Sequence, residues 1–319
     1  MLDKLSRRDC IGALALGAAA LASSRAVFAG ERYRITYANL SDEVPFGAAV
    51  ASGLKKAESR FPDFQMTYLD NRFDAVKAVE NARTVVASKP SLFIEYNIQA
   101  ASNVVIARMM KEVDIPVLAI QAPVADAPLF SVDNKAAGIE SGLGLVEAAK
   151  IKWPSETPVI VLIGLPESGP MFIERADGAR AAITEAYPDA KVIEYSSKND
   201  AGSVRQLVAD TLTRFPGNKL LFWVHVDAMA LAALAAVRNS GREPDCLISA
   251  TGGEHAAFPE IRRENSAYVG TYSFFPELWA DDILNLAGAM LRKETVPRRS
   301  YPKKQLFVTR QNIASHYPT

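Results

Sequence analysis

From Tyr33 onward, short runs of β-branched and aromatic residues alternate with stretches of helical period, the pattern of a parallel sheet with helices on both faces. The spacing predicts strands over 34–39, 65–70, 92–95, 117–120, 158–164, 191–195, 219–224, 246–249 and 267–271. Several are unbroken apolar runs, as expected of strands covered on both sides. Core-facing stripes run through Val76, Val79 and Val86, and again through Leu207, Val208, Leu212 and Phe215. Asp133 or Asn134 is placed to cap a helix over 135–150, and Asp227 to cap one over 228–239. Pro154 and Pro158 bracket a turn-rich break close to the midpoint. The pattern therefore predicts an α/β chain of two doubly wound parallel-sheet lobes of similar size.

The first residues follow a different pattern. Residues 1–29 have a charged start, an apolar run from Ile11 to Ala22, a polar Ser23-Ser24-Arg25 and a small-residue end at Val27-Phe28-Ala29. That is the layout of a cleaved export signal. About a dozen apolar residues span too little of a hydrocarbon core roughly 30 Å thick to anchor the chain. Ser6-Arg7-Arg8 resembles the twin-arginine signal, although Cys10 and Ile11 stand where Phe-Leu is usual, so both export routes stay open. The expectation is a periplasmic protein cleaved near Ala29. Of two cysteines, only Cys246 would then remain, and one thiol makes no internal disulfide.

Composition narrows the function. A chain of 319 residues, 49% apolar and 23% charged, is long enough for two lobes. Lys+Arg and Asp+Glu both total 36, leaving no positive excess to hold a nucleic-acid backbone, so no nucleic-acid partner is expected. The sequence has no Gly-x-Ser-x-Gly elbow, Walker A loop, paired-His zinc signature or Cys-x-x-Cys. Gly142-Leu143-Gly144 is half of a dinucleotide fingerprint with Glu147 where a glycine should follow, and it reads as a place where helices pack closely. His225, His255 and His316 have no partner at ligand spacing, so neither metal nor cofactor is predicted. Glu254-His255, after Gly252-Gly253, reads as a polar loop touching ligand or solvent rather than an acid–base pair. Arg298-Arg299 and Lys303-Lys304 read as a solvated crossing between lobes. No enzyme is predicted.

In an open parallel sheet, ligands collect outside the carboxyl ends of the strands. Those ends carry Asn39, Asp70, Glu95-Tyr96-Asn97, Gln121, Asp133, His225, Thr251 and Tyr272.

An ordered set of segments resembles the ribose-type periplasmic sugar-binding proteins, the type I solute-binding components of ABC transporters. It comprises 34–39 with Pro45-Phe46, Asp114-Ile-Pro-Val117, Ser131-Val-Asp-Asn134, Glu174-Arg175-Ala-Asp-Gly178, Asp227-Ala-Met-Ala-Leu231 and Ser273-Phe-Phe-Pro276. The resemblance implies two lobes on a three-crossover hinge, with 30–132 plus 275–301 as the N-terminal lobe and 133–274 plus 302–319 as the C-terminal lobe. It also implies a monomer that delivers a sugar-like or polyol ligand to an ABC permease in the inner membrane. A carboxylate and an Arg fork suit hydroxyls, and an aromatic face suits C–H groups, so Asp133, Arg175 and Phe46 are the implied contacts.

The chain departs from the ribose-type pattern at Gln121-Ala122 in place of Asp-Arg, at Val226 in place of Asn, at Thr251 in place of Asp and at Phe274 in place of Gln. Polar contacts have become neutral or apolar there, which favours a more apolar or differently shaped ligand. Glu95, Asn97 and His225 are candidate replacement partners, and Asn39, Gln121, Thr251 and Phe274 are further candidate ligand contacts. A periplasmic sensing subunit for a membrane kinase or chemoreceptor would need the same closure, and the sequence does not separate it from a transport receptor. A lac-repressor-type regulator would need a helix-turn-helix where the apolar leader stands.

Overall fold

The computed structural model describes residues 32–318, so the expected leader, Cys10 included, lies outside the described residues. The first half runs β1 (Tyr33–Asn39), α1 (Pro45–Ala57), β2 (Phe64–Asp70), α2 (Ala75–Ser88), β3 (Leu92–Tyr96), α3 (Ala100–Glu112), β4 (Val117–Ile120) and β5 (Leu129–Phe130). Next come α4 (Asn134–Lys152), β6 (Val159–Gly164), α5 (Pro170–Ala186), β7 (Val192–Ser196), α6 (Ala201–Arg214), β8 (Leu220–Val224), α7 (Asp227–Asn239) and β9 (Cys246–Gly252). The chain ends with α8 (Phe258–Arg262), β10 (Tyr268–Ser273), α9 (Trp279–Leu291), β11 (Arg299–Ser300), β12 (Leu306–Thr309) and α10 (Ile313–His316).

These strands form two six-stranded sheets, ordered β11-β5-β4-β3-β1-β2 and β12-β10-β9-β8-β6-β7. All pairings are parallel except β12 against β10. The architecture is the expected pair of doubly wound lobes. The chain passes between sheets three times: after β5, after β10, and between β11 and β12. Of the predicted basic cluster, only Lys303 and Lys304 lie on the last passage, since Arg298 precedes β11 and Arg299 belongs to it; Lys303 pairs with Asp282 at 3.0 Å while itself 83% exposed, as a solvated crossing requires.

Alternation within the apolar strands fills two core layers per lobe. In β6, Val159, Val161 and Ile163 pack with Phe222, Val224 and Ile248, while Ile160 and Leu162 point the other way to Leu145, Leu221 and Trp223. In the first lobe, Ile35 and Tyr37 meet Leu54, Trp279 and Ile283, and Ala38 and Phe93 meet Ala82, Val85 and Ile106. Cys246, the first residue of β9, is fully buried in the second lobe.

Two local expectations are corrected. Val76 is 69% exposed, because α2 turns Ala78, Asn81, Ala82 and Val85 inward; small residues let it lie close to the sheet. Asp227 does not cap α7. It is the first helical residue after Val226, and its Oδ2 instead accepts from the backbone N–H groups of Gly253 and Glu254, both at 2.7 Å. Three strands absent from the expected set, β5, β11 and β12, are only two, two and four residues long.

α4 and α5 approach unusually closely. A Cβ on Gly138 would run into the Arg175 carbonyl oxygen, and one on Gly178 into that of Lys135, so this helix pair needs both positions bare. Gly142 faces Ala179 and Gly144 faces Phe307, which accounts for the Gly-Leu-Gly step as packing. The close approach brings the start of α4 beside the second turn of α5.

Candidate functional site

The carboxyl ends of both sheets face a shared cavity of about 270 Å³. Leu40, Tyr96 and Gln121 reach it from the ends of β1, β3 and β4, and Leu165, His225 and Gly252 from the ends of β6, β8 and β9. Phe46 comes from α1, Met171, Phe172 and Arg175 from α5, Met229 from α7, and Phe274 from the passage after β10. Phe73, Asn199 and Glu254 also line the cavity, with Glu43 at the rim. The lining is dominated by carbon, with few polar groups set among aromatic rings.

Arg175 is the central charge. It is 3% exposed and makes four hydrogen bonds: Nη2 and Nε to Asn134 Oδ1 at 2.6 and 3.2 Å, and Nη1 to Thr251 Oγ1 at 2.9 Å and to the His225 carbonyl at 3.2 Å. Its guanidinium carbon lies 5.4 Å from the Phe172 ring and 5.1 Å from the Phe274 ring. Burial lowers its pKa to about 10, opposed by Tyr96 and Asp227, so it remains protonated at neutral pH. Thr251 Oγ1 also donates to the His225 carbonyl at 2.7 Å, which locks acceptor and strand end together.

His225 is fully buried. Its Nε2 lies 3.0 Å from Ser197 Oγ, and its Nδ1 has no partner among the described residues. Burial, then the nearby Arg175 charge, pushes its pKa down to about 3, so the ring is neutral. Burial also raises the Tyr96 phenol, against the pull of Arg175. The Glu254 carboxyl is pushed up to about 8 by burial and by the adjacent Asp227 carboxylate. Asp227 is held by the loop N–H groups and by the Tyr268 hydroxyl.

Of the residues singled out in the sequence, Phe46, Gln121, Arg175, His225 and Phe274 line the cavity. Phe46 stands edge-on to Phe274 and Trp279, with ring centroids 6.0 and 5.1 Å apart. Gln121 sits at φ +66°, where the chain turns sharply after β4, and its Oε1 accepts from Val132 N at 3.4 Å. Thr251 stands behind the wall as an anchor for Arg175.

Four others are placed elsewhere. Asp133 is exposed and caps α4, accepting from Ala136 N at 3.0 Å; the side chain that meets Arg175 is that of Asn134. The expectation that Asp133 contacts the ligand together with Arg175 is therefore corrected for Asp133: a capping side chain folds back over its own helix, while the next residue turns inward. Asn39 accepts from Tyr37 Oη at 2.9 Å and donates to Asp42 at 2.6 Å, shaping the loop before α1. Asn97 donates to Ser102 at 2.7 Å and accepts from Gln99 N at 3.1 Å, at the entry to α3. Glu95 is fully buried, accepts from Asn71 Nδ2 at 3.1 Å, and has its pKa raised well above the ordinary range by burial.

Sequence reasoning did not single out Phe73, Met171, Phe172 or Met229 as contacts, whereas Glu254, read as part of a polar loop touching ligand or solvent, does line the cavity. Phe172 had a readable signal, since it precedes Arg175 by three positions and so shares its helix face. Among the described residues, no cluster of His, Cys, Asp and Glu is placed to hold a metal ion, and no helix is long and apolar enough to cross a membrane.

A family model described as a periplasmic binding protein domain matches residues 35–295. Solved structures share the fold at low identity. An ABC transporter periplasmic solute-binding protein from Actinobacillus succinogenes 130z, with bound D-allose, aligns at a TM-score of 0.79 and 18% identity, over 90% of this chain and 100% of that one. One from Agrobacterium vitis with bound allitol gives 0.77 and 18%, over 90% and 98%. One from Mycobacterium smegmatis with bound glycerol gives 0.78 and 19%, over 89% and 96%. No curated protein matches the chain by sequence.

Proposed function

The chain belongs to the periplasmic binding protein domain family, and we propose that it is the solute-binding component of an ABC transporter, closing as a monomer on a sugar-like or polyol solute and presenting it to a membrane permease. The observation that carries this reading is the cavity itself, walled by strand ends of two sheets that the chain links three times. Such a site is built by bringing its halves together, and a solute that touches both favours the closed arrangement. The lobes proposed to close are 30–132 with 275–301 and 133–274 with 302–319. The polar groups lining the cavity recognise the solute without a nucleophile or metal. The protein works in the periplasm after losing its leader near Ala29.

The test is mass spectrometry of the solute that copurifies with gently isolated mature protein, followed by thermal melting with sugars and polyols. A bound solute raises the melting temperature by several degrees at saturating concentration. An empty protein that responds to no small solute would sink the proposal.

A further inference from the structure

We infer that the solute is a small hydroxy acid, its carboxylate set against Arg175 and an apolar face set against the phenylalanine and methionine walls. This rests on the receptor role proposed above and replaces its sugar-like or polyol solute with an acid.

The first ground is charge. Arg175 is 3% exposed, yet all four of its hydrogen bonds go to neutral oxygens: one amide, one hydroxyl and one backbone carbonyl, the amide counted twice. Among the described residues no carboxylate lies within 4.0 Å of it, whereas other arginines such as Arg238 and Arg263 are paired. A buried guanidinium left with neutral partners is costly, and an anion arriving from solvent relieves that cost. Four of its five N–H groups are spent, which leaves one Nη2 hydrogen on a residue that lines the cavity.

The second ground is the scarcity of polar partners. A fully hydroxylated solute needs a donor or acceptor for almost every oxygen, because stripping a hydroxyl of water against carbon is unfavourable. Here Phe46, Phe73, Phe172, Phe274, Met171 and Met229 occupy much of the wall. The orphaned Nδ1 of fully buried His225 is a partner for one hydroxyl, which can donate or accept as the tautomer requires.

The third ground is the remaining acidic groups. Glu43 is exposed at the rim, and Asp227 is engaged by Gly253, Glu254 and Tyr268. Glu254, with its pKa pushed up to about 8, is largely protonated at neutral pH and donates to a carboxylate rather than repelling it.

Calorimetric titration at pH 7 tests this with matched sets: phenyllactate and 2-hydroxyisocaproate, their methyl esters, the corresponding diols, and arabinose and allitol. Each acid should bind about tenfold or more tightly than its own ester and diol. Arg175→Gln should abolish that preference and Arg175→Lys should keep part of it, although the comparison within the unaltered protein stands even if neither variant folds. Equal affinity of acid and ester, or binding confined to the neutral sugars and polyols, overturns the inference and leaves the receptor reading intact. Silence from every compound, with nothing copurifying, overturns both.

Discussion

Arg175 closes the forked edge of its guanidinium on a single atom, Asn134 Oδ1, with Nη2 at 2.6 Å and Nε at 3.2 Å. Asn134 opens α4 directly after the first passage between sheets, and Arg175 lies in the second turn of α5. The contact fixes the cationic head while contributing no opposing charge, so the positive field of the cleft survives.

Asn134→Ala removes both bonds to a charged group and should cost about 1.5–3 kcal/mol in urea denaturation. Asn134→Asp keeps the geometry and supplies the missing charge. It should leave stability nearly unchanged while weakening the binding of anionic solutes, measured by titration; unaltered acid affinity in this variant would show that the Arg175 charge does not attract the ligand.

The bare faces of Gly138 and Gly178 let α4 and α5 meet backbone to backbone. Gly138→Ala or Gly178→Ala should force the helices apart, costing about 1–3 kcal/mol as overpacking does. It should also move Arg175 away from Asn134, so solute affinity falls together with the urea midpoint.

Thr251→Val is isosteric and removes only the hydroxyl that accepts from Arg175 and donates to the His225 carbonyl. A loss of about 1–3 kcal/mol is expected from the unsatisfied buried groups, read by denaturation. A change below a few tenths would mean that water or another side chain takes over the role.

Two cavity residues give stability opposite pH dependences. His225 has its pKa lowered from 6.5 to about 3, so its contribution is present above pH 6.5 and is lost as the pH falls toward 3. Glu254 has its pKa raised from 4.5 to about 8, so its contribution is present below pH 4.5 and is lost as the pH rises toward 8. Each slope is about 1.4 kcal/mol per pH unit, and the two cancel where the windows overlap. Melting temperature against pH should therefore show a plateau with a fall on each side. His225→Asn should flatten the acid limb and Glu254→Gln the alkaline one.

The legible part of the fold was whatever an unbroken apolar run or a cap announces. β6 and β8 declare themselves as Val-Ile-Val-Leu-Ile and Leu-Leu-Phe-Trp-Val because both faces of those strands are covered. β5 and β11 carry two residues each, too few for any periodicity to register. Within the cleft, His225 and Gln121 were readable as polar groups at strand ends, and Arg175 through the family resemblance of its segment. Of the apolar walls, Phe46 and Phe274 were singled out, but Met171 and Met229 were not, since they look like core residues until the second lobe is placed opposite them. Asp133 and Asn134 show the resolution limit of pattern reading: adjacent residues of similar chemistry, one turned back on its helix and the other turned in to the guanidinium.

Cys246 sits at the amino end of β9 with its thiol pushed up to about 12 by burial. A sulfur held protonated and out of contact with solvent does not react with alkylating agents. Among the described residues it is the lone thiol, so its labelling rate becomes a clock for how often the carboxyl-terminal half opens, read without interference from the described part of the other half.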